Sequence, residues 1–184
     1  MFQELNQFPA PVIASVQGGA FGGAVALLSA CDIVIAASDA VFSLSEARLG
    51  LIPACAAPFV IAKIGASWTR WLFVTGENIS ADKAMAIGLV HEVVPGTDDL
   101  ASAASHVIAQ IQKCSLRATR QAKQLVLDLT WPERRAGLEN VEEFVAGLRA
   151  TIRKSPDAQE GMAAFLEKRS PQWATPLKQT GYEA

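Results

Sequence analysis

The sequence has little charge, few histidines and few cysteines, and each shortage excludes a class of protein. Charged residues make up 18% of the 184, and the net charge of −2 is too near neutral for an electrostatic nucleic-acid binder. The apolar share of 51% excludes a disordered chain. Two histidines and three widely spaced cysteines, Cys31, Cys55 and Cys114, support neither a zinc site nor a disulfide framework. We therefore expect a cytoplasmic protein with buried, reduced thiols and no bound metal.

Charge is scarcest in the first third of the chain. Residues 1–62 hold only five charged residues, and Leu5–Cys31 is an uncharged run of 27, long enough to cross a membrane. Two prolines and four glycines interrupt this run together with Asn6, Gln7 and Gln17, and no basic segment precedes it. The pattern favours a buried region of a globular protein over a membrane span or a signal peptide.

Strands and helices alternate in the first half of the sequence. A helix ending before Pro9 is followed by predicted strands at Val12–Val16, Asp32–Ala37 and Val41–Leu44, with a buried helix at Ala24–Ala30 after a flexible turn rich in glycine. A strand, a glycine turn, a helix and a second strand are typical of a crossover unit in an α/β protein.

The second half is predicted to be mainly helical. Helices are expected at Pro58–Ile64, Ser67–Thr75, Ser80–Ile87, Asp98–Cys114, Ser115–Leu129, Pro132–Lys154 and Pro156–Arg169, with one strand at Leu89–Val94 and a loose tail from Ser170 to Ala184. The division that follows is an α/β region over residues 1–95 and a helical region over residues 96–184.

The glycine turn, GGAFGG at Gly18–Gly23, is the first candidate for chemistry. A dinucleotide fingerprint needs glycines at i, i+2 and i+5, and Ala20 breaks that spacing; no Lys-Ser/Thr pair follows to make a phosphate loop. Glycines at the start of a helix allow backbone N–H groups to hold an anion or a developing oxyanion. Close packing between strand and helix explains the same residues equally well.

Glu46 is the second candidate, because it is a lone carboxylate in a segment of low charge. A carboxylate held beside the apolar loop Leu49–Pro53 would suit a general acid or base. The alternative is a surface ion pair with Arg48 or exposure to solvent. No Ser-His-Asp arrangement is supported, since His91 lies in a predicted strand and His106 on a helix face, where both are expected to be structural.

Three separated segments resemble the enoyl-CoA hydratase/isomerase, or crotonase, superfamily. They are PVIASVQGGAFGGAVALLSACDIVIAASDAVFSLSEARLGLIP at 11–53, TGENISADKAMAIGLVHEVVP at 75–95 and DAQEGMAAFLEKRSPQW at 157–173. The resemblance implies a crotonase-like α/β fold with a ββα spiral core. Residues 1–95 would form the C-terminal part of that core, and residues 96–184 a helical trimerisation region.

The resemblance also implies roles for residues of the glycine turn and for Glu46. Family members bind an acyl-CoA thioester, and two backbone N–H groups hold its oxygen as an enolate-like anion forms. The second donor falls on Gly23, with Gly22 and Ala20 beside the substrate. Of the two glutamates that hydratases use, the later falls on Glu46, whereas the earlier falls on Ala26, which can neither activate water nor transfer a proton.

The closest motifs belong to methylglutaconyl-CoA and isohexenylglutaconyl-CoA hydratases of leucine and acyclic terpene catabolism. These share the GGAV helix start, the LSEARLGLIP pattern and a loop without the usual run of glycines, here Ala54–Pro58. The resemblance thus implies a hydro-lyase for a branched or carboxylated enoyl-CoA, with Pro53 and Ala54 lining the substrate site. Arg48 is a candidate for the substrate's distal carboxylate. Coenzyme A enters as part of the substrate, and no metal or redox cofactor is implied.

Two alternatives remain open because Glu46 has no partner glutamate. An enoyl-CoA Δ3-Δ2 isomerase needs one carboxylate and no bound water. A catalytically inactive acyl-CoA-binding paralogue, or a truncated fragment of a hydratase, needs neither a catalytic carboxylate nor a bound water. Truncation is an alternative because the family's fold begins upstream of the matched segments. That part carries the other oxyanion N–H and much of the CoA surface.

The C-terminal segment points to an oligomer. Family members are trimers or dimers of trimers, and Phe165–Lys168 matches residues that approach the CoA adenine and phosphates across a subunit boundary. Phe165 and Lys168 are therefore predicted to bind substrate in a homo-trimer or hexamer. The alternative for Phe165 is simple helix packing.

Overall fold

The computed structural model describes residues 1–174, and its strands form two three-stranded sheets. The strands are β1 (Ile13–Val16), β2 (Gly19–Phe21), β3 (Ile33–Ala37), β4 (Val41–Ser43), β5 (Ile79–Ser80) and β6 (Glu92–Val94). One sheet has the order β1-β3-β6 and the other β2-β4-β5. All pairs are parallel except β4 with β5.

Helices follow the strands and fill the second half of the described chain. They are α1 (Phe2–Asn6), α2 (Gly23–Ser29), α3 (Ala57–Thr75), α4 (Ala81–Ala86), α5 (Leu100–Gln112), α6 (Leu116–Thr130), α7 (Pro132–Ala136), α8 (Val141–Arg153) and α9 (Pro156–Leu166). Single 3-10 turns lie at Glu46–Leu49, Thr97–Asp99 and Gln172–Ala174.

The chain repeats one unit, strand–strand–helix, as β1-β2-α2 and then β3-β4-α3. The first strands of the two units pair in one sheet, with Ile13 opposite Ile33, and the second strands pair in the other, with Gly19 opposite Val41. The predicted α/β class and the predicted crossover between the strands at Val12–Val16 and Asp32–Ala37 are confirmed.

The core explains why the front of the sequence carries so little charge. The four residues Val34–Ala37 of β3 have no exposed surface, as expected of a parallel strand covered on both faces. One apolar cluster gathers Val25, Phe42 and Val60 on one side, and a second joins Ile35 and neighbouring residues to α5. Burial on both faces leaves no place for charged side chains there.

The structure divides into two compact units, Met1–Ile108 and a second that starts at Ala109. The predicted boundary at 95/96 lies earlier, because the first turns of α5 pack against the sheet. Leu100 is buried in a cluster with Ile35, Ala37 and Val94. The predicted division at 95/96, between the C-terminal part of the core and a helical trimerisation region, stays a prediction.

One predicted helix of the second unit is wrong. The sequence pattern over Pro132–Lys154 gave one helix, whereas the structure has α7 and α8 with a break between them. Gly137 ends α7, and the side chain of Asn140 caps α8 by accepting a hydrogen bond from the Glu143 N–H (3.1 Å). Residues 175–184 of the predicted loose tail lie outside the described residues. Before them, the Gln172 N–H donates to Glu160.

Two further expectations concern the cysteines and the long uncharged run. Of the three cysteines, only Cys31 is buried, whereas Cys55 and Cys114 are exposed. The run Leu5–Cys31 contains the end of α1 followed by β1, β2 and α2. Among the described residues, no helix has the length and apolar character that a membrane crossing requires.

Candidate active site

Two parallel strands bring the glycine turn and Glu46 to the same edge of a sheet. β2 and β4 are neighbours, with Phe21 opposite Ser43. Because the carboxyl ends of parallel strands share an edge, the residues that follow each strand emerge side by side. Gly22 and Gly23 follow β2, and Glu46 comes three residues after β4.

Gly22 lies directly against the Glu46 carboxylate. A Cβ atom added at Gly22 would be 3.0 Å from Glu46 Oε1, and the Gly22 φ of 53° is itself a conformation that favours glycine. The Gly22 N–H donates to the Ser43 carbonyl at 2.8 Å, which ties the turn to β4. A larger residue would push Glu46 away.

The Glu46 carboxylate is held with one oxygen unsatisfied. Its Oε2 is buried and has no hydrogen-bond partner within the described chain, and no ion pair there joins Glu46 to Arg48, the alternative that the sequence left open. Glu46 begins a 3-10 turn, and its carbonyl accepts from the Leu51 N–H at 3.0 Å. A buried carboxylate oxygen without a partner is costly, so this atom points to a ligand or a water that completes it.

Gly23 presents a backbone donor next to this carboxylate. As the first residue of α2 it has no carbonyl one turn earlier in the helix to bond, and no backbone partner outside the helix is found for its N–H in the described residues. Gly23 is exposed, and a Cβ there would meet nothing within 4 Å. Gly23 therefore combines an exposed position with an N–H that has no backbone partner in the described chain.

Ala26 lies one turn further along α2 and contributes no polar group. It has no exposed surface and belongs to the main apolar cluster. This position therefore offers no carboxylate beside Glu46.

The remaining predicted site residues of the first unit differ in exposure. Ala20 is buried, and it lines a cavity of about 640 Å³ beside β2 and α2, together with Gly19, Ala24 and Leu27. This volume is typical of small-molecule sites. Pro53 is buried and its carbonyl accepts from the N–H groups at the start of α3, whereas Ala54 is exposed.

Arg48 lies near the end of α3, and its role at a substrate carboxylate stays a prediction. Its side chain lies over Gly76, which ends α3, and a Cβ there would be 3.2 Å from Arg48 Nε. Sequence analysis missed Gly76 because it is thirty residues from Glu46. The available signal was a glycine directly after an apolar helix, a common helix end.

Phe165 and Lys168 belong to the second unit. Phe165 is 82% exposed, so it does not pack within the helices described, which removes the simple packing alternative. Lys168 is also exposed and has a positive φ of 54°. Both side chains are available for contacts outside their own unit.

His91 takes a structural position, as the sequence suggested, whereas the structural role expected for His106 stays a prediction. His91 Nδ1 accepts a hydrogen bond from the Val34 N–H at 2.9 Å, and partial burial of the ring, aided by the Lys63 ammonium, lowers the His91 pKa. His106 is exposed on α5. Within residues 1–174, no three His, Cys, Asp or Glu side chains come together as a metal site would require.

Comparisons with known proteins agree on one family. The family model for enoyl-CoA hydratase/isomerase matches residues 1–176. The 2,3-dehydroadipyl-CoA hydratase of Escherichia coli K12 is 33% identical over 93% of this chain and 66% of its own length. The chain spans between 61% and 66% of the length of the first curated relatives that it matches.

Solved structures agree on the fold. The crystal structure of an enoyl-CoA hydratase from Shewanella pealeana has a TM-score of 0.84 and 38% identity, over 94% of this chain and 63% of that one. AtuE of Pseudomonas aeruginosa has a TM-score of 0.85 and 31% identity, over 95% of this chain and 66% of that one. The predicted crotonase-like fold is confirmed.

Proposed function

The chain belongs to the enoyl-CoA hydratase/isomerase family, and from this membership we propose that it hydrates an enoyl-CoA thioester with a branched or carboxylated acyl group. One observation carries the proposal: the Glu46 carboxylate lies against Gly22, with Oε2 buried and without a partner in the described chain. A water bound there would donate a hydrogen bond to that oxygen.

In the proposed mechanism Gly23 and Glu46 divide the work. The Gly23 N–H donates to the thioester oxygen, which gains negative charge as the enolate forms. Glu46 takes a proton from a water whose oxygen bonds to Cβ, and the double-bond electrons move toward the thioester. Glu46 then returns the proton to Cα, so one carboxylate serves as base and acid.

The substrate proposal rests on chemistry around the site. Ala20 and its cavity, with Gly22, Pro53 and Ala54, are proposed to contact the acyl-CoA, and coenzyme A enters as part of the substrate with no other cofactor. The Escherichia coli relative is named for hydrating 2,3-dehydroadipyl-CoA, whose acyl group is carboxylated. We place the reaction in cytoplasmic fatty-acid, leucine or terpene catabolism.

We further propose that the protein works as a homo-trimer or hexamer, in which Phe165 and Lys168 contact the CoA of a neighbouring subunit. The exposure of Phe165 and Lys168 supports this arrangement. No nucleic acid or membrane takes part.

An enoyl-CoA isomerase is the second candidate, and the alanine at position 26, where a second glutamate would stand, favours it. With no glutamate at that position, one carboxylate remains to move a proton between two carbons, which needs no bound water. An inactive acyl-CoA-binding protein is the third.

Three substrates separate these functions. Purified protein is given 3-methylglutaconyl-CoA, crotonyl-CoA or a 3-enoyl-CoA, and the absorbance of the conjugated enoyl thioester is followed. We expect loss of absorbance, faster with 3-methylglutaconyl-CoA than with crotonyl-CoA. A rise with the 3-enoyl-CoA alone would replace the hydratase by an isomerase, and binding of all three without turnover would leave a binding protein.

A further inference from the structure

The turn that carries Glu46 is fastened to the end of α3 by contacts that no catalytic role explains. Gly76 ends α3 with a φ of 58°, and its N–H donates to the Leu72 carbonyl at 2.9 Å. A Cβ at Gly76 would lie 3.2 Å from Arg48 Nε, 3.3 Å from Arg48 Cγ and 3.4 Å from Ser45 Cα. Arg48 and Ser45 therefore occupy the space that a side chain at position 76 would need.

Besides Arg48 and Ser45, which lie close to Gly76, Ser43 of the same segment forms a hydrogen bond with it. The hydroxyl of Ser43, which is buried, donates to the Gly76 carbonyl at 3.2 Å. Residues before and after Glu46 therefore converge on one glycine. The side chains of Ala47, Arg48 and Leu49 in this turn are exposed.

We propose that Arg48 and Gly76 form a latch that positions the Glu46 carboxylate against Gly22. This inference rests on the proposed function, since Glu46 is the acid and base there. Arg48 is then a positioning residue, in place of the substrate contact expected from the sequence.

Electrostatics supports the latch. The last carbonyl groups of a helix carry partial negative charge, which attracts a guanidinium placed over them. Among the described residues Arg48 forms no ion pair, and its Nε and Cγ lie beside Gly76 at the end of α3. Gly76 is the part of that end which Arg48 covers.

Amide hydrogen exchange at Leu51 tests the latch without any assay of activity, because its N–H bonds to the Glu46 carbonyl. We expect Gly76→Ala to speed this exchange at least tenfold. Gly88→Ala is the matched control: Gly88 also has a positive φ, of 86°, after a helix, but a Cβ there meets only the Lys63 carbonyl at 3.9 Å. The control is expected to change Leu51 exchange less than twofold.

Arg48→Ala tests the other half of the latch and remains available if Gly76→Ala does not fold. Alone it is expected to speed Leu51 exchange at least threefold. When Arg48→Ala is already present, the Cβ added by Gly76→Ala has room. Adding Gly76→Ala is then expected to speed Leu51 exchange less than twofold further. Equal effects of Gly76→Ala with and without Arg48 would overturn the latch, as would a Leu51 rate unchanged in Arg48→Ala.

Turnover separates this inference from the proposed function. We expect Gly76→Ala to lower kcat for an enoyl-CoA at least tenfold with KM within twofold, because a displaced Glu46 affects chemistry more than binding. If the wild-type protein shows no turnover but Leu51 exchange is faster in Gly76→Ala than in the wild type, the latch is sustained and the hydratase is refuted. Leu51 exchange in Gly76→Ala equal to that in Gly88→Ala would refute the latch at any level of turnover.

Discussion

Gly22 joins the backbone of the glycine turn to the chemistry of Glu46. Its φ of 53° and the 3.0 Å from its missing Cβ to Glu46 Oε1 are separate constraints. The positive φ affects folding alone, whereas the short distance to Oε1 affects the position of the carboxylate. A pair of substitutions separates them.

Gly22→Ala is expected to lower both stability and turnover, whereas Gly18→Ala is expected to lower stability alone. Gly18 has a similar φ of 66°, but a Cβ there meets nothing within 4 Å. Each change lowers the free energy of unfolding because residues with a Cβ rarely adopt a positive φ, and Gly22, with a ψ of −115°, also lies outside the left-handed helical region. Only Gly22→Ala also displaces Glu46, which we expect to reduce hydration at least about 100-fold.

Urea denaturation and an enoyl-CoA assay on both variants check this expectation. Equal turnover in the two variants would mean that the contact between Gly22 and Glu46 has no part in the reaction.

The residues of the site were predictable to different degrees. Glu46 and Gly23 attract attention in the sequence because a lone carboxylate and a run of glycines stand out in an almost uncharged segment. Gly76 does not, because its importance comes from a contact across thirty residues of chain. The buried, unpartnered Oε2 of Glu46 is likewise a property of packing that no spacing of residues encodes.

At the level of elements, long apolar runs were predicted well and short or interrupted segments were not. The strands at Val12–Val16 and Asp32–Ala37 appear as β1 and β3 with small shifts in their ends, since burial on both faces leaves an unbroken apolar run. β2 was missed because it is three residues long and starts with a glycine, which has low strand propensity. Gly65 has a non-helical conformation (φ 74°, ψ 163°) inside α3, so the two helices predicted at Pro58–Ile64 and Ser67–Thr75 are confirmed as its two halves.

The contact between His91 and β3 gives the fold a pH dependence. The unfolded chain binds a proton at the ordinary His pKa of 6.5, whereas the pKa of His91 is lowered in the fold, first by burial and then by Lys63. The unfolded state therefore holds more protons just below pH 6.5. This contribution to stability is complete above pH 6.5 and is lost as the pH falls toward the folded pKa, although the partly exposed ring limits its size.

His91→Asn is expected to flatten the fall in stability between pH 7.5 and pH 5.5. At pH 7.5 we expect the same variant to cost about 1 kcal/mol through its weaker hydrogen bond with the Val34 N–H. Urea midpoints at the two pH values measure both effects, and His106→Asn on the exposed face of α5 serves as the control. A wild-type slope retained in His91→Asn would assign the pH dependence to another group.

At the scale of the whole molecule, exposed apolar side chains on α9 are consistent with the proposed trimer. Phe165 and Leu166 are neighbours in sequence and are 82% and 79% exposed. Adjacent exposed apolar side chains are typical of a surface that another chain covers. The resemblance that predicted the trimer assigned contacts to the same helix.

Leu166→Glu is expected to weaken association because it introduces charge into the proposed contact. Sedimentation velocity is expected to find three or six copies of the 19.5 kDa chain for the wild type and for the conservative variant Leu166→Met, and smaller species for Leu166→Glu. A wild-type protein that sediments as a single chain at micromolar concentration would refute the trimer.

The most direct test of the central claim is the rate at which wild-type protein and Glu46→Gln remove the conjugated absorbance of 3-methylglutaconyl-CoA. Glutamine keeps the size of the side chain but accepts no proton, so we expect turnover at least about 100-fold slower. Glu92→Gln, at an exposed position of strand β6, is expected to match the wild type. Hydration by Glu46→Gln at the wild-type rate would contradict the role assigned to this carboxylate.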